Sequence, residues 1–531
     1  MRSGKIPTVM SDVVGHFARS PQANIPRSVF NRSHGHKTTF DAGYLVPILV
    51  DEALPGDTFH LKMTGFARMT TPIFPIMDNL YMETFFFAVP YRLVWSNWEK
   101  FNGAQDNPGD STDFVIPQVT APAVGGWTSG TIADYFGLPI GVNSLSQSAL
   151  PFRAYNLIWN QWFRDENLQN SLTVSLGNGP DADTLYSLKR RNKRYDYFTS
   201  ALPWPQKGTA VTLPLGSTAP VNRINNAPAQ KIYTAGTNTL NTGVVGFDSD
   251  ASALLLRHNA ISANISIDPN GSWVADLSGA TASTINSLRQ AFQTQRLYER
   301  DARGGTRYTE IIRSHFGVIS PDMRLQRAEY LGGGSSPIVV TPVPQTSSTD
   351  ATTPQGNLAA IGTASLHNHS FTKSFTEHCI IIGLVNVRAD LNYQQGMNRL
   401  WSRSTRFDYY WPALAHIGEQ AILNKEIYCD GSANDSLVFG YQERYAEYRY
   451  KPSLITGLFR TSAAGNLDSW HLAQQFVSLP ALNSTFIEEN PPMTRILAVA
   501  GQPHFIFDSY FSYKCTRPMP VYSVPGLIDH F

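Results

Sequence analysis

The side chains best suited to metal chemistry lack partners at the spacing that a metal site requires. Two histidine pairs could hold an ion from one strand: His34 with His36, and His367 with His369. Neither pair has the neighbouring carboxylates or thiolates that complete such sites. Residues 268–276 and 430–436 contain the Asp, Asn and Gly of a calcium loop, without its alternating oxygen ligands and distal Glu. We therefore predict turns at these two segments, and neither a metal nor a cofactor.

The sequence signals for a catalytic site are equally weak. Paired carboxylates could hydrolyse a glycosidic bond, but the acids here mostly adjoin arginines, as in "YERDARGGTRYTE" at residues 298–310, which favours ion pairs. "LGGGSS" at residues 331–336 lacks the Lys and the following helix of a phosphate-binding loop, so we predict a flexible loop there. These patterns favour a protein that is not an enzyme, while carboxylates that meet only in the folded chain leave an enzyme open at this point.

A basic cluster, "LKRRNKRYDYF" at residues 188–198, suits nucleic acid better than catalysis. Its cations could neutralise phosphates while the adjoining rings stack on bases. The alternatives are a solvated face or pairing with acids of a neighbouring subunit. The candidate nucleic-acid-binding residues of this cluster are Lys189, Arg190, Arg191, Lys193 and Arg194.

Residues 1–37 form a second basic segment, with six basic residues against one acid and no helical or strand period. This composition predicts an extended basic arm. Arg2, Lys5 and Arg19 are its candidate nucleic-acid-binding residues.

Tyrosines and arginines alternate in "GYQERYAEYRYKPS" at residues 440–453. Such a segment could stack on bases or could fill a protein interface. Glu443 and Glu447 make it nearly neutral, which favours an interface with buried rings and paired charges. The candidate subunit-interface residues are Tyr441, Arg444, Tyr445, Tyr448, Arg449 and Tyr450.

The whole chain is nearly neutral, because its 531 residues contain 42 basic and 41 acidic ones, for a formal charge of +1. No global basic field is present, so any binding of nucleic acid must be local. The three cysteines are far apart and are expected to be buried free thiols. We find no apolar leader and no membrane-spanning run, which favours a cytoplasmic protein without membrane insertion.

The chain begins and ends in predicted strands. Residues 58–69 alternate apolar side chains with His60, Lys62, Thr64 and Arg68, the period of a half-buried strand. Further strands are predicted at 38–50, 80–89, 378–391, 494–501 and 504–515, and helices from 151 onward, at 285–300 and at 307–316. We expect the last two strands to pair beside the first ones, as in an antiparallel β domain.

Two long polar segments interrupt this domain. Residues 207–284 are rich in Ser, Thr, Ala, Asn and Gly and lack a clear period, which predicts an insertion with its own role. Residues 332–357 are predicted to be a loop. The predicted organisation is therefore an arm at 1–37 and one β domain at 38–531 with these two insertions.

Five stretches in this order resemble the major capsid proteins of microviruses, and the gokushovirus branch in particular. They are "PGDTFHLKMTGFARMTTPIFPIMDNLYMETFFFAVPYRLVW" (55–95), "PFRAYNLIWNQWFRDEN" (151–167), "YFTSALPWPQKG" (197–208), "RDARGGTRYTEIIRSHFGV" (300–318) and "GYQERYAEYRYKPS" (440–453). None is a catalytic motif, but together they span most of the chain.

The resemblance implies an eight-stranded antiparallel jelly roll with long loop and helical insertions. It implies a T=1 virion shell of about sixty copies around circular single-stranded DNA, assembled in the cytoplasm of a bacterial host. It also implies that the 207–284 insertion is a three-fold surface protrusion for attachment to a host receptor. A small basic DNA-binding packaging protein is a further implied partner. Two other functions stay open at this stage: a β-rich enzyme acting on polysaccharide, and a phage attachment protein outside the capsid.

Overall fold

The structure, a computed structural model, describes residues 26–211, 285–319, 326–350, 354–499 and 501–522, and seven short strands between residues 221 and 275. The chain divides into two compact units. One contains residues up to Pro205 and from Asp301 onward, and the other contains Gln206–Arg300.

The first unit is built on one large antiparallel sheet. Its strands are β1 (Ser28–Asn31), β2 (His34–Phe40), β3 (Val46–Ala53), β4 (Thr58–Met69), β5 (Leu80–Pro90), β15 (Glu329–Pro344), β16 (Leu358–Ser374), β17 (Cys379–Ala389) and β20 (Phe505–Arg517). The order is β1-β20-β4-β16-β15-β5-β17-β3, with β2 also pairing to β20. Because β1 and β2 follow each other along β20, the sheet is eight strands wide. The structure is mainly β, and its large sheet is curled. This confirms the predicted jelly-roll fold class.

Alternation in the sequence explains which face of the sheet is buried. Every second residue of β4, from Phe59 to Met69, lies in the core. The same holds for β20, where Phe505, Phe507 and Phe511 are buried. Each such side chain contributes roughly 1.5–3 kcal/mol by leaving water. Strand β17 is buried along its whole length, as its continuous apolar run predicted.

The two ends of the chain meet in this sheet, but only one of the two closing strands forms. Strand β20 pairs with β4 from Phe505 opposite Met69 to Thr516 opposite Thr58, which confirms the prediction for 504–515. The prediction of a strand at 494–501 is wrong. Met493–Arg495 is a short 3-10 helix, and Leu497 makes only a single bridge to Pro72.

The predicted arm is shorter than expected. Residues 28–31 and 34–40 are strands of the main sheet, so the boundary at residue 37 is wrong. Arg32 is held there by Asp51 at 2.5 Å, and Lys37 lies 3.3 Å from Asp508. Arg2, Lys5 and Arg19 lie outside the described residues.

The glycine-rich segment is not the flexible loop that its composition suggested. Residues 332–344 belong to β15, and only 345–357 connect it to β16. Cβ atoms at Gly332 and Gly333 would overlap the backbone carbonyls of Ser370 and Thr84. The glycines are therefore required by close backbone packing between strands, which composition alone cannot distinguish from a loop.

The described residues include seven α-helices: α1 (Trp98–Phe101), α2 (Ile132–Tyr135), α3 (Leu150–Ile158), α4 (Ile285–Gly304), α5 (Tyr308–Phe316), α6 (Asn424–Ile427) and α7 (Ser484–Ile487). Helices α3, α4 and α5 confirm the three predicted ones. Helix α5 ends at Gly317, whose φ of +70° suits glycine. No helix among the described residues is long and apolar enough to cross a membrane.

The remaining strands are short. In the first unit β6 (Gln118–Thr120) pairs with β7 (Ser146–Ser148), and β18 (Glu419–Leu423) pairs with β19 (Val438–Glu443). The second unit contains β8 (Val221–Arg223), β9 (Ile232–Thr234), β10 (Thr239–Leu240), β11 (Val245–Asp250), β12 (Ala253–His258), β13 (Ile265–Ile267) and β14 (Trp273–Ala275). The predicted insertion at 207–284 falls on this unit, and most residues of that segment lie outside the described ones.

Candidate functional site

The basic cluster at 189–194 lies against the main sheet, and most of its cations have partners within the chain. Arg190 covers the ring of Tyr44 at 4.1 Å and donates to the carbonyl of Glu489 at 3.0 Å. Lys193 Nζ donates to the carbonyl of Phe486 at 2.6 Å and to Gln474 at 3.0 Å. These contacts hold the cluster in place as part of the subunit's own structure.

Glu83 on β5 is the centre of this arrangement. Its carboxylate accepts from Arg191, from Arg194 at 3.2 Å and from Arg388 of β17 at 2.9 Å. Burial acts to raise the pKa of Glu83, but Arg191 and Arg388 outweigh it and lower that pKa. The cluster therefore pairs with an acid of its own chain, and pairing with acids of a neighbouring subunit stays a prediction.

Lys193 is the most deeply buried member of the cluster, with 6% of its surface exposed. Burial lowers the pKa of its ammonium group to about 8 and raises that of the nearby Glu489 carboxyl. A cation in this position is poorly placed to reach a phosphate. Arg194, whose side chain is 58% exposed, and the partly exposed Lys189 are the members accessible to a ligand.

The tyrosine-rich segment at 440–453 packs against its own subunit. The backbone of Tyr441 in β19 exchanges two 2.8 Å hydrogen bonds with Leu202. Tyr445 is buried, adopts a left-handed φ of 62° and donates its hydroxyl to Phe407 at 3.3 Å. Tyr450 stacks on Tyr197, with ring centroids 5.7 Å apart.

Both acids of this segment are also paired within the chain. Glu443 pairs with Arg449 at the surface. Glu447 is almost fully buried beside Arg403 at 3.5 Å, and the Arg444 guanidinium lies over the ring of Tyr445. Buried rings and paired charges are thus present as the sequence suggested, but these partners lie within one subunit. The role of the segment between subunits stays a prediction.

One histidine of each pair has partners of another kind. His369 is buried between Thr84 at 2.7 Å and Ser336 at 3.1 Å, and the ring of His34 stacks on Phe511. In the part of the chain that the structure describes, no group of three potential metal ligands occurs.

One of the two calcium-like segments is a turn, whereas the described part of the other, Trp273–Ala275, is strand β14 and contradicts the turn predicted there. The Asp435 carboxylate accepts from the backbone of Asp430 and Gly431, which confirms the turn at 430–436. The beginning of 268–276 lies outside the described residues. Cys379 and Cys515 are buried as predicted, but Cys429 is exposed at the start of this turn, which contradicts the prediction for that thiol.

Glu426 and Glu447 are two carboxylates that converge on one arginine, Arg399. Arg399 lies 3.0 Å from Glu426 and 3.9 Å from Glu447. The cavity that they line has a volume of about 60 Å³, well below the roughly 300–1,000 Å³ of typical ligand clefts. Ion pairing therefore explains these acids.

Comparison with known proteins decides the family. The model of the family described as "Capsid protein (F protein)" matches residues 18–527. Capsid protein VP1 of Bdellovibrio phage phiMH2K is 51% identical over 97% of this chain and 98% of its own length. Capsid protein VP1 of Chlamydia phage 1 is 47% identical over 98% of this chain and 99% of its own length. Capsid protein VP1 of Spiroplasma virus 4 is 40% identical over 97% of this chain and 98% of its own length.

The chain belongs to the phage F capsid protein family. The resemblance to microvirus major capsid proteins of the gokushovirus type is confirmed. This capsid protein is a structural component of the virion that self-assembles into a multi-copy shell, and it is not an enzyme. The two other functions, a polysaccharide-acting enzyme and an attachment protein outside the capsid, are set aside on this ground.

Sequence reasoning missed one prominent surface of the capsid protein, which we call the aromatic surface. It consists of Trp401, Phe407, Tyr409, Tyr410, Trp411 and Tyr448, which are 39–77% exposed. Tyr448 connects it to the predicted interface segment, because its hydroxyl accepts from the backbone of Tyr410 and Arg403 lies 4.2 Å from its ring centroid. The signal was present in "LWSRSTRFDYYWP" at residues 400–412, which has the same mixture of rings and arginines.

Proposed function

We propose that sixty copies of this capsid protein close a T=1 icosahedral shell around circular single-stranded DNA. Sixty identical subunits in equivalent positions are what a closed shell of icosahedral symmetry requires. The observation that supports this proposal best is the aromatic surface. Exposed aromatic patches of this kind on a single subunit mark sites that associate with another protein surface.

The aromatic surface has the composition of a subunit contact. Aromatic residues and arginine are enriched in interface cores, and here Arg406 lies 4.5 Å from the ring centroid of Trp411. Tyr445 packs its ring against Tyr410 and Tyr448 and so supports the exposed rings from beneath. We therefore propose that Tyr448 and Arg449 contact a neighbouring subunit directly, while Tyr441, Arg444, Tyr445 and Tyr450 position them.

The low net charge of the capsid protein supports a further partner that neutralises the phosphates of the genome. A formal charge of +1 per chain, over about sixty copies, leaves nearly all phosphates of an enclosed genome uncompensated. A small basic packaging protein or cations would supply the difference. Within the capsid protein, Arg2, Lys5 and Arg19 of the arm and the accessible Lys189 and Arg194 are proposed to contribute.

The insertion at 207–284 is proposed to form a surface protrusion at the three-fold axes that attaches the virion to a host receptor. Its low charge and its Ser, Thr and Gly content are typical of a variable surface segment. Assembly is proposed to take place in the cytoplasm of the bacterial host.

Native mass measurement of empty particles tests the proposed shell. Sixty chains of 58.8 kDa predict a particle of about 3.5 MDa. Trp401→Ser, at a side chain that is 77% exposed, should leave the subunit folded but greatly reduce the yield of such particles. Val124→Ser, at an 89% exposed position away from the aromatic surface, is the matched control. A different copy number, or normal assembly of the Trp401 variant, would count against the proposal.

A further inference from the structure

The outward face of four adjacent strands carries cations without partners. Strands β2, β20, β4 and β16 lie side by side, with their apolar residues turned to the core. Lys62 and Arg68 of β4 and Lys514 of β20 point to the other side and are exposed. Among the described residues these three form no ion pair or side-chain hydrogen bond, unlike most cations of the 189–194 cluster.

The register brings these cations together. Lys62 lies opposite Ser512, and His60 lies opposite Lys514, so Lys62 and Lys514 are diagonal neighbours. Arg68 lies six residue pairs further along the same two strands, opposite Ile506 and on the same face. Since a strand advances about 3.4 Å per residue, the three charges span roughly 20–30 Å of sheet, the scale of several nucleotides.

Acidic residues are nearly absent from this face. The four strands contain a single acid, Asp508, and its carboxylate is already paired with Lys37 at 3.3 Å. Most other outward side chains near the cations are hydroxyl-bearing: Thr64, Ser365, Ser370, Thr372 and Ser512. The face is therefore a local basic surface on a protein whose total charge is nearly zero.

Two aromatic rings lie between the cations. Phe66 is 52% exposed and Tyr510 is 55% exposed, on the polar side of strands whose other rings are buried. Phe66 faces Asp508 across the strands and Thr64 faces Tyr510, so the rings too are diagonal neighbours. Exposed rings on a basic sheet are the arrangement on which single-stranded nucleic acids stack.

We infer that this outward face, defined by Lys62, Phe66, Arg68, Tyr510 and Lys514, is a binding surface for single-stranded DNA. The three cations contact phosphates, and the two rings stack on bases without regard to sequence. The inference rests on the proposed enclosure of single-stranded DNA and adds the surface that contacts it. Charge decides the occupant, because a basic packaging protein would be repelled by unpaired cations.

Binding of a labelled oligo(dT) to the dissociated full-length subunit tests the inference in solution. The triple variant Lys62→Thr, Arg68→Thr and Lys514→Thr should lower the slope of log affinity against log salt by about two, since each lost contact removes about 0.7 counterion. Phe66→Thr with Tyr510→Thr should weaken binding at least fivefold. The matched control replaces three exposed cations elsewhere, Arg313, Lys451 and Arg460, by Thr. An unchanged slope in the triple variant, or an equal loss in the control, would overturn the inference.

Ultraviolet cross-linking of intact virions tests the same surface in place. We expect nucleotides attached to peptides that contain Phe66 or Tyr510. Particles that contain DNA but cross-link only through other peptides would refute this surface while leaving the proposed function intact. Shells that never contain DNA would instead refute the proposed function. Failure of the triple variant to form shells, with oligo(dT) binding unchanged, would assign the face to a neighbouring subunit and overturn the inference.

Discussion

Glu83 and Arg388 lie on neighbouring strands of the main sheet and form a 2.9 Å ion pair, with both side chains less than 10% exposed. Arg191 and Arg194 reach the same carboxylate from a segment more than 100 residues away in sequence. One buried acid therefore fixes β5, β17 and the basic cluster relative to one another, and the predictions about stability begin with it.

Glu83→Gln should destabilise the dissociated subunit by about 3–5 kcal/mol, because it leaves buried guanidinium groups without a counter-charge. Urea unfolding followed by tryptophan fluorescence measures the change. Asp508→Asn is the control, since its pair with Lys37 is largely exposed and should contribute under about 1 kcal/mol. Equal effects of the two substitutions would show that Glu83 does not have this role.

The stability of the subunit should also depend on pH through the ionisation of Glu83. Its pKa in the folded subunit lies below its ordinary value of 4.5, so the unfolded chain binds more protons in this range. The stabilisation is complete above about pH 4.5 and is lost as pH falls through the lower, folded pKa. The unfolding free energy of Glu83→Gln should therefore fall less steeply below pH 4.5 than that of the native subunit. If the unfolding free energies of the variant and of the native subunit fall equally steeply below pH 4.5, Glu83 is not the source of this pH dependence.

Gly332→Ala should destabilise the subunit by at least 1–3 kcal/mol, because the new methyl group would overlap the Ser370 backbone across the sheet. Thermal unfolding measures this effect. Gly109→Ala is the control, because no atom lies within 4 Å of its Cβ position and its φ is not positive. If both variants melt like the native protein, the close approach of β15 to β16 is incorrect.

Replacement of residues 207–284 by a short linker should leave the sheet-bearing unit folded, since closing a long loop costs little entropy. Its circular dichroism and its proteolytic resistance should match those of the native subunit, whereas attachment of virions to host cells should be lost. An insoluble or molten product would mean that the segment is needed for folding. Replacement of 345–357 by a linker of equal length tests whether any loop change abolishes attachment.

The sequence predicted elements whose signal is local. The alternation at 58–69 and the apolar run at 378–391 specified β4 and β17, because burial on one or both faces determines those patterns. Gly317 likewise predicted the end of α5. The same alternation predicted that Lys62 and Arg68 lie on the solvent side. It did not predict that the exposed Tyr510 of β20 lies near them, because that depends on how the strands pair.

Features that depend on distant partners could not be predicted in this way. The apolar residues around Ile496 are buried in the core, yet that segment forms no strand because its backbone pairs only briefly, with residues 71–73. In the sequence Gly332 resembles a loop residue, and only the folded structure shows that the Ser370 carbonyl lies against it. The partners of Arg190 and Lys193 lie nearly 300 residues further along the chain, so the cluster's internal pairing required the fold.

A cryo-electron microscopy reconstruction of the assembled particle tests the central claim most directly. The account predicts a closed T=1 shell of sixty subunits, roughly 250–300 Å across for subunits of this mass at ordinary protein density. In it, Trp401 and Tyr448 should be covered by a neighbouring subunit. An open filament, a shell with another copy number, or a closed shell in which the aromatic surface remains exposed to solvent would contradict the account.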